Sequence, residues 1–201
     1  MSLQTSYRFI APFYDFFLSR ATASARQRSL ARLPQHGAAR ILLSGVGTGL
    51  DFPFLPASHQ YTALDFTAAM LQRSRGKARH LQMHNVQGDS MSLPFTDGCF
   101  DVVVLHLIVA VVAQPERCLA EAARVLKPGG RIYIFDKFLH PGERAWLRRA
   151  LSLVVEKLAT RLDVVFEEVL AHTPTLRVLS DEPVLAGGWF RLIELEKPLN
   201  R

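Results

Sequence analysis

At 201 residues, 49% apolar and 21% charged, the chain suits one domain with a sizeable core and leaves too little length for two. Two cysteines, Cys99 and Cys118, exclude a disulfide framework, and the longest apolar run, 102–113, falls short of the about 20 residues a membrane-spanning helix needs. The net charge of +6 sits almost wholly in the first fifth, where Arg8, Arg20, Arg26, Arg28, Arg32 and Arg40 face a single acid, Asp15, so this segment is expected to seek an anionic partner.

Residues 3–20 are crowded with Tyr7, Phe9, Phe13, Tyr14, Phe16 and Phe17, and Pro12 divides them into two short helical pieces. An arginine-studded helix is predicted over 22–33, ended by Pro34 and Gly37. From Arg40 the pattern alternates. A strand over 40–45 runs into glycines at 45, 47 and 49, and a short helix near 50–55 is limited by Pro53 and Pro56. A second strand, 60–64, leads to Asp65, and Thr67 is placed to cap a helix reaching about 78. Strands follow at 81–87 and 100–105, the latter apolar on both faces as a central parallel strand should be. A helix over 115–126 stops at the turn Lys127-Pro128-Gly129-Gly130, and a fifth strand covers 131–136. A longer helix is predicted over 142–160 and a further turn over 164–171. Two final strands, 174–180 and 188–196, are joined through 181–187. This rhythm predicts an α/β fold, a mostly parallel sheet with helices on both faces and an antiparallel hairpin at the end.

The chemistry concentrates in Ile41-Leu42-Leu43-Ser44-Gly45-Val46-Gly47-Thr48-Gly49. Glycine permits φ > 0 and a close approach of ligand to backbone. Asp65, about twenty residues on, suits the two hydroxyls of a ribose, so a nucleoside-containing cofactor is expected. Leu50 stands where a dinucleotide loop would have its third glycine, which disfavours a dehydrogenase.

Further stretches carry a resemblance: 61–67 with Met70-Leu71, Gly88-Asp89-Ser90-Met91-Ser92-Leu93-Pro94-Phe95, Phe100-Asp101-Val102-Val103, and 124–130. In this order and spacing they resemble the class I S-adenosylmethionine-dependent methyltransferases. The resemblance implies a Rossmann-like, seven-stranded sheet and S-adenosylmethionine as cofactor. By it, Gly45, Val46, Gly47, Thr48 and Gly49 face the methionine part, Asp65 binds the ribose and Phe66 packs on the adenine. Asp89, Ser90 and Met91 sit at the adenine. No metal is implied. One departure stands out: Leu43 occupies the place, two before the first glycine, where the family usually carries an acid.

The opening Tyr7-Arg8-Phe9-Ile10-Ala11-Pro12-Phe13-Tyr14-Asp15 resembles members acting on lipid-like acceptors, the bacterial phosphatidylethanolamine N-methyltransferases and the ubiquinone/menaquinone C-methyltransferases. The implied function is methylation of a lipid-like or apolar small molecule. Two alternatives stay open: a soluble metabolite or quinone precursor as acceptor, and a non-catalytic cofactor- or membrane-binding protein, which Leu43 motivates. Tyr7 and Tyr14 are the candidates for orienting the acceptor, and water, Tyr14 or His106, at the end of the fourth strand, is expected to accept the proton of an amine acceptor. One domain is expected: a lid or membrane-facing segment over 1–39, a cofactor core over 40–138, and a helix with terminal hairpin over 139–201. The expected setting is cytoplasmic, with peripheral contact at the inner membrane face through the basic aromatic opening. No nucleic-acid partner is expected.

Overall fold

The computed structural model describes residues 21–139 and 163–199. The predicted aromatic pieces over 3–20 and the helix over 142–160 lie outside them, as do Tyr7 and Tyr14.

Residues 21–30 form helix α1. Seven strands follow: β1 (Arg40–Ser44), β2 (Gln60–Asp65), β3 (Gln82–Gln87), β4 (Phe100–His106), β5 (Leu126–Lys137), β6 (Arg177–Leu185) and β7 (Phe190–Glu196). The helices between them are α2 (Ala68–Ser74), α3 (Pro115–Val125) and α4 (Phe166–Ala171). One sheet holds all the strands in the order β3-β2-β1-β4-β5-β7-β6. The first five pair in parallel, and β7 runs antiparallel to both its neighbours. The expected mixed α/β sheet with its terminal hairpin is therefore present.

Two apolar cores lie on opposite faces. Leu42, Val103, Leu105, Ile132 and Ile134 pack with Leu119, Ala122 and Phe166, from α3 and α4. Ile41, Leu43, Ala63 and Val104 pack with Leu30, Leu33 and Leu71, from or just beyond α1 and α2. This is the alternation a strand imposes, with odd and even positions facing opposite layers. β1 and β4 are neighbours although the chain leaves them toward opposite edges. Ligands of open α/β sheets bind at the carboxyl ends of such a pair.

Several predicted boundaries move. The helix near 50–55 is one 3-10 turn, Phe52–Phe54, with Pro53 inside it. Thr67 precedes α2 but makes no side-chain cap; its hydroxyl donates to Asp65 instead. α2 ends at Ser74, and a 3-10 turn, Arg75–Lys77, completes it across Gly76. The run 127–130 is not a free turn but the start of β5. Gly129 takes φ +78° there, and its N–H donates to the Lys197 carbonyl. β6 continues through Asp181–Leu185, leaving only Ala186–Gly188 as the bend. Charge explains this: Asp181 is held by Arg191 of β7, and Glu182 by Arg28 and Arg32.

Those pairs also change the reading of the basic opening. Arg26 is buried against Asp51, while Arg28 and Arg32 bridge to the hairpin. The arginines of α1 and the turn after it are committed to the fold rather than presented as a free cationic face. Among the described residues no helix is long and apolar enough to cross a membrane.

Candidate methyl-donor site

The end of β1 turns sharply because its carboxyl edge is tied to β2. The N–H groups of Gly45 and Val46 both donate to the Leu64 carbonyl, at 2.8 and 3.1 Å. Gly45 has φ +76°, and a Cβ built there would lie 2.7 to 2.9 Å from Ile108 of the loop after β4. Gly47 has φ +52°, and a Cβ there would meet nothing within 4 Å. The loop is thus closed on the sheet side by Ile108 and open where a ligand would lie. Gly45→Ala is expected to cost roughly 2–4 kcal/mol of stability, from a left-handed alanine and the overpacked Ile108. Urea unfolding measures it, and an unchanged midpoint would contradict the close packing.

Asp65, at the end of β2, organises this loop. One carboxylate oxygen accepts the Gly47 N–H at 2.8 Å, and the other accepts the N–H and hydroxyl of Thr67 at 3.0 and 3.1 Å. Both acceptor directions of Oδ1 are taken by Thr67, while Oδ2 has one left beside the Gly47 N–H, so capacity for a ribose hydroxyl remains. Phe66 beside it is 71% exposed, an unusual position for a large aromatic and one that suits a stacking partner. Asp89 accepts the Met91 N–H at 2.8 Å, which folds 89–92 into a tight turn past β3. Ser90 is buried and shares a 2.8 Å hydrogen bond with Ser44, joining that turn to the base of the glycine loop. The predicted residues from Gly45 to Met91 therefore converge on the carboxyl ends of β1, β2 and β3. The open Gly47 backbone, the spare acceptor capacity of Asp65 and the bare ring of Phe66 fit the methionine, ribose and adenine parts of S-adenosylmethionine.

His106 is placed differently from the expectation. Its side chain is 1% exposed and both ring nitrogens are engaged. Nδ1 lies 2.7 Å from Asp51 Oδ1 and Nε2 lies 2.9 Å from Ser29 Oγ. A carboxylate only accepts, so Nδ1 carries a hydrogen toward Asp51, and Nε2 shares its bond with the Ser29 hydroxyl. With no nitrogen free, His106 is not positioned as a base for an acceptor. Arg26 Nη1 donates to the same Asp51 oxygen at 2.7 Å, and Arg26 Nε donates to Thr22. Burial pushes the Asp51 carboxyl up, but His106 and Arg26 outweigh it and hold the group well below the usual carboxylate range. Sequence reasoning missed Asp51, Arg26 and Ser29. They are 25 to 77 positions from their partners, and no local spacing rule spans that.

The loop after β4 is anchored from below by Asp136 of β5. One of its oxygens accepts the Ala110 N–H at 3.0 Å and the other its neighbour Lys137 N–H at 2.8 Å. Leu107 takes φ +57°, and this left-handed turn carries the chain on to Ile108 over Gly45. Burial raises the Asp136 carboxyl, and burial lowers the adjacent Lys137 ammonium. Below them Cys118 is buried, and burial together with the Asp136 and Asp89 carboxylates pushes its thiol up to about 12. Alkylation of the folded protein at pH 8 is expected to label Cys99, which is half-buried, and to spare Cys118 until the chain is unfolded. Equal labelling of both would contradict this burial.

The methyltransferase domain family matches residues 42–134. A phosphatidylethanolamine N-methyltransferase of Cereibacter sphaeroides is 34% identical over 189 residues, covering 92% of this chain and 92% of that relative. A ubiquinone/menaquinone biosynthesis C-methyltransferase of Ruegeria sp. (strain TM1040) is 42% identical over 104 residues, covering 48% of this chain and 42% of that protein. Among solved structures, the methyltransferase complexed with the Trm112 activator of Haloferax volcanii superposes with a TM-score of 0.77. At 18% identity, over 100% of this chain and 99% of that one, the likeness is one of fold.

Proposed function

Because this chain belongs to the class I S-adenosylmethionine-dependent methyltransferases, we propose that it methylates a lipid-like amine, with phosphatidylethanolamine the first acceptor to test. The observation that carries the acceptor is the end-to-end match to a phosphatidylethanolamine N-methyltransferase. The quinone-type relative, in contrast, aligns over about half of this chain.

When bound, S-adenosylmethionine supplies a methyl group already activated on a cationic sulfur. The residues of this chain have three tasks beside it. Gly45 to Gly49 offer bare backbone to the methionine part, Asp65 receives the ribose hydroxyls, and Phe66 with Asp89, Ser90 and Met91 encloses the adenine. The second task is alignment: Tyr7 and Tyr14, outside the described residues, orient the acceptor from a lid formed by 1–39. The third is water exclusion, which the loop held by Asp136 serves from the β4 side. A protonated amine acceptor loses its proton to water or to Tyr14, since the nitrogens of His106 are occupied. We further propose that all 201 residues form one domain, and that the aromatic opening makes peripheral contact with the inner membrane face.

Methyl-labelled S-adenosylmethionine incubated with the protein and phosphatidylethanolamine vesicles is expected to label the lipid. Label confined to a soluble metabolite pool would replace this acceptor with the second reading, a soluble or quinone precursor. That reading is favoured by the internal pairing of Arg26, Arg28 and Arg32, which removes them from any membrane-facing charge.

A further inference from the structure

Leu43 leaves the strand entering the glycine loop without its usual acid, yet a carboxylate is present close by. Leu43 is buried in the apolar cluster that also holds Val104 and Phe52. It pairs with Val104 across β1 and β4. His106 is two residues further along β4, on the same face and one step nearer the carboxyl edge. Asp51, chain neighbour of Phe52, reaches that step from the far side of the loop and bonds His106 at 2.7 Å.

We propose that Asp51 is a positioning residue that replaces the missing acid at position 43, holding the exit of the glycine loop in the geometry that receives S-adenosylmethionine. The inference rests on the methyl-donor site described above. Asp65 fixes the middle of the loop through the Gly47 N–H. Asp51, two residues past Gly49, fixes its end to α1 through Arg26 and to β4 through His106. Ser29 closes the ring by bonding the other nitrogen of His106. A loop held at both places is ordered before its ligand arrives, so binding does not bear that ordering entropy. The same contacts set α1, which continues from the segment carrying Tyr7 and Tyr14, against the donor loop.

Two variants separate positioning from mere stability. Asp51→Asn keeps an acceptor oxygen for His106 and Arg26 but removes the charge. The double variant Arg26→Met/Asp51→Leu replaces the buried pair by apolar groups of similar size and leaves one unmet hydrogen bond, that of the buried His106 Nδ1. Melting temperature and calorimetric Kd for S-adenosylmethionine are read for each. The expected result is a double variant that is still folded at the titration temperature yet binds about tenfold or more weakly, with Asp51→Asn between it and wild type. Wild-type affinity in folded Asp51→Asn or in the folded double variant overturns the proposal. If the unaltered protein binds no S-adenosylmethionine, the donor-site reading itself fails, and this is distinct from a variant that binds normally.

Discussion

Asp65→Asn is expected to weaken S-adenosylmethionine binding by about 3 kcal/mol, on the order of a hundredfold, the scale of losing several charge-assisted hydrogen bonds at once. The change keeps size and shape, so the reason is chemical. Asp65 accepts on both oxygens: Gly47 on one, Thr67 twice on the other. Asparagine has a single acceptor oxygen, and its NH2 must then face either the Gly47 N–H or the Thr67 donors. The loop loses its tether on one side or α2 loses its entry contact on the other, and the ribose loses a carboxylate in either case. Titration calorimetry reads the Kd, and a melting curve without ligand reads the loop contribution separately. Wild-type affinity in the folded variant would remove Asp65 from the ribose site. Thr67→Val, which deletes the hydroxyl bond to Asp65 and leaves the carboxylate, should shift affinity far less.

Arg26→Met alone is expected to destabilise the fold by about 3 kcal/mol, because breaking one partner out of a buried pair leaves the Asp51 charge held by His106 alone. Asp51 and Arg26 have side-chain exposures of 9% and 7%, so water cannot screen the loss. The pH dependence has a definite sign. Folding lowers the Asp51 carboxyl below its unfolded value, so its contribution is present above about pH 4 and is lost as pH falls through the folded value. Wild-type protein should therefore lose stability on the acid side, and Arg26→Met should show a shallower acid limb because part of that contribution is already gone. Urea unfolding between pH 3 and about 7 checks both statements. An unchanged midpoint at neutral pH would contradict the buried pair.

The glycine loop and the carboxylate that ties it were legible in the sequence because these parts are local. Glycines at 45, 47 and 49 report a turn that side chains would obstruct, and Asp65 follows the next apolar strand. Strand centres were legible for the same reason: the apolar runs at 41–43 and 102–105 become the buried middle of the sheet. Boundaries were less so wherever a distant group decided them. Asp181 and Glu182 look like turn residues until Arg191, Arg28 and Arg32 are brought against them. Lys127 to Gly130 reads as a turn until Lys197 arrives to pair with it.

The sequence by itself determined the class of fold and the order of its motifs, which rest on periodicity and spacing within a few dozen residues, and its resemblance to a known family implied the cofactor. Only the tertiary structure decided what His106 does and where the carboxylate absent at Leu43 is found. Arg26, Ser29, Asp51 and His106 lie on three separate stretches of chain, and their meeting depends on how α1 crosses the β1–β4 face. Burial then turns that meeting into structure: a histidine at a strand end becomes a fully bonded strut, and an aspartate in a loop ties that loop to α1 and β4.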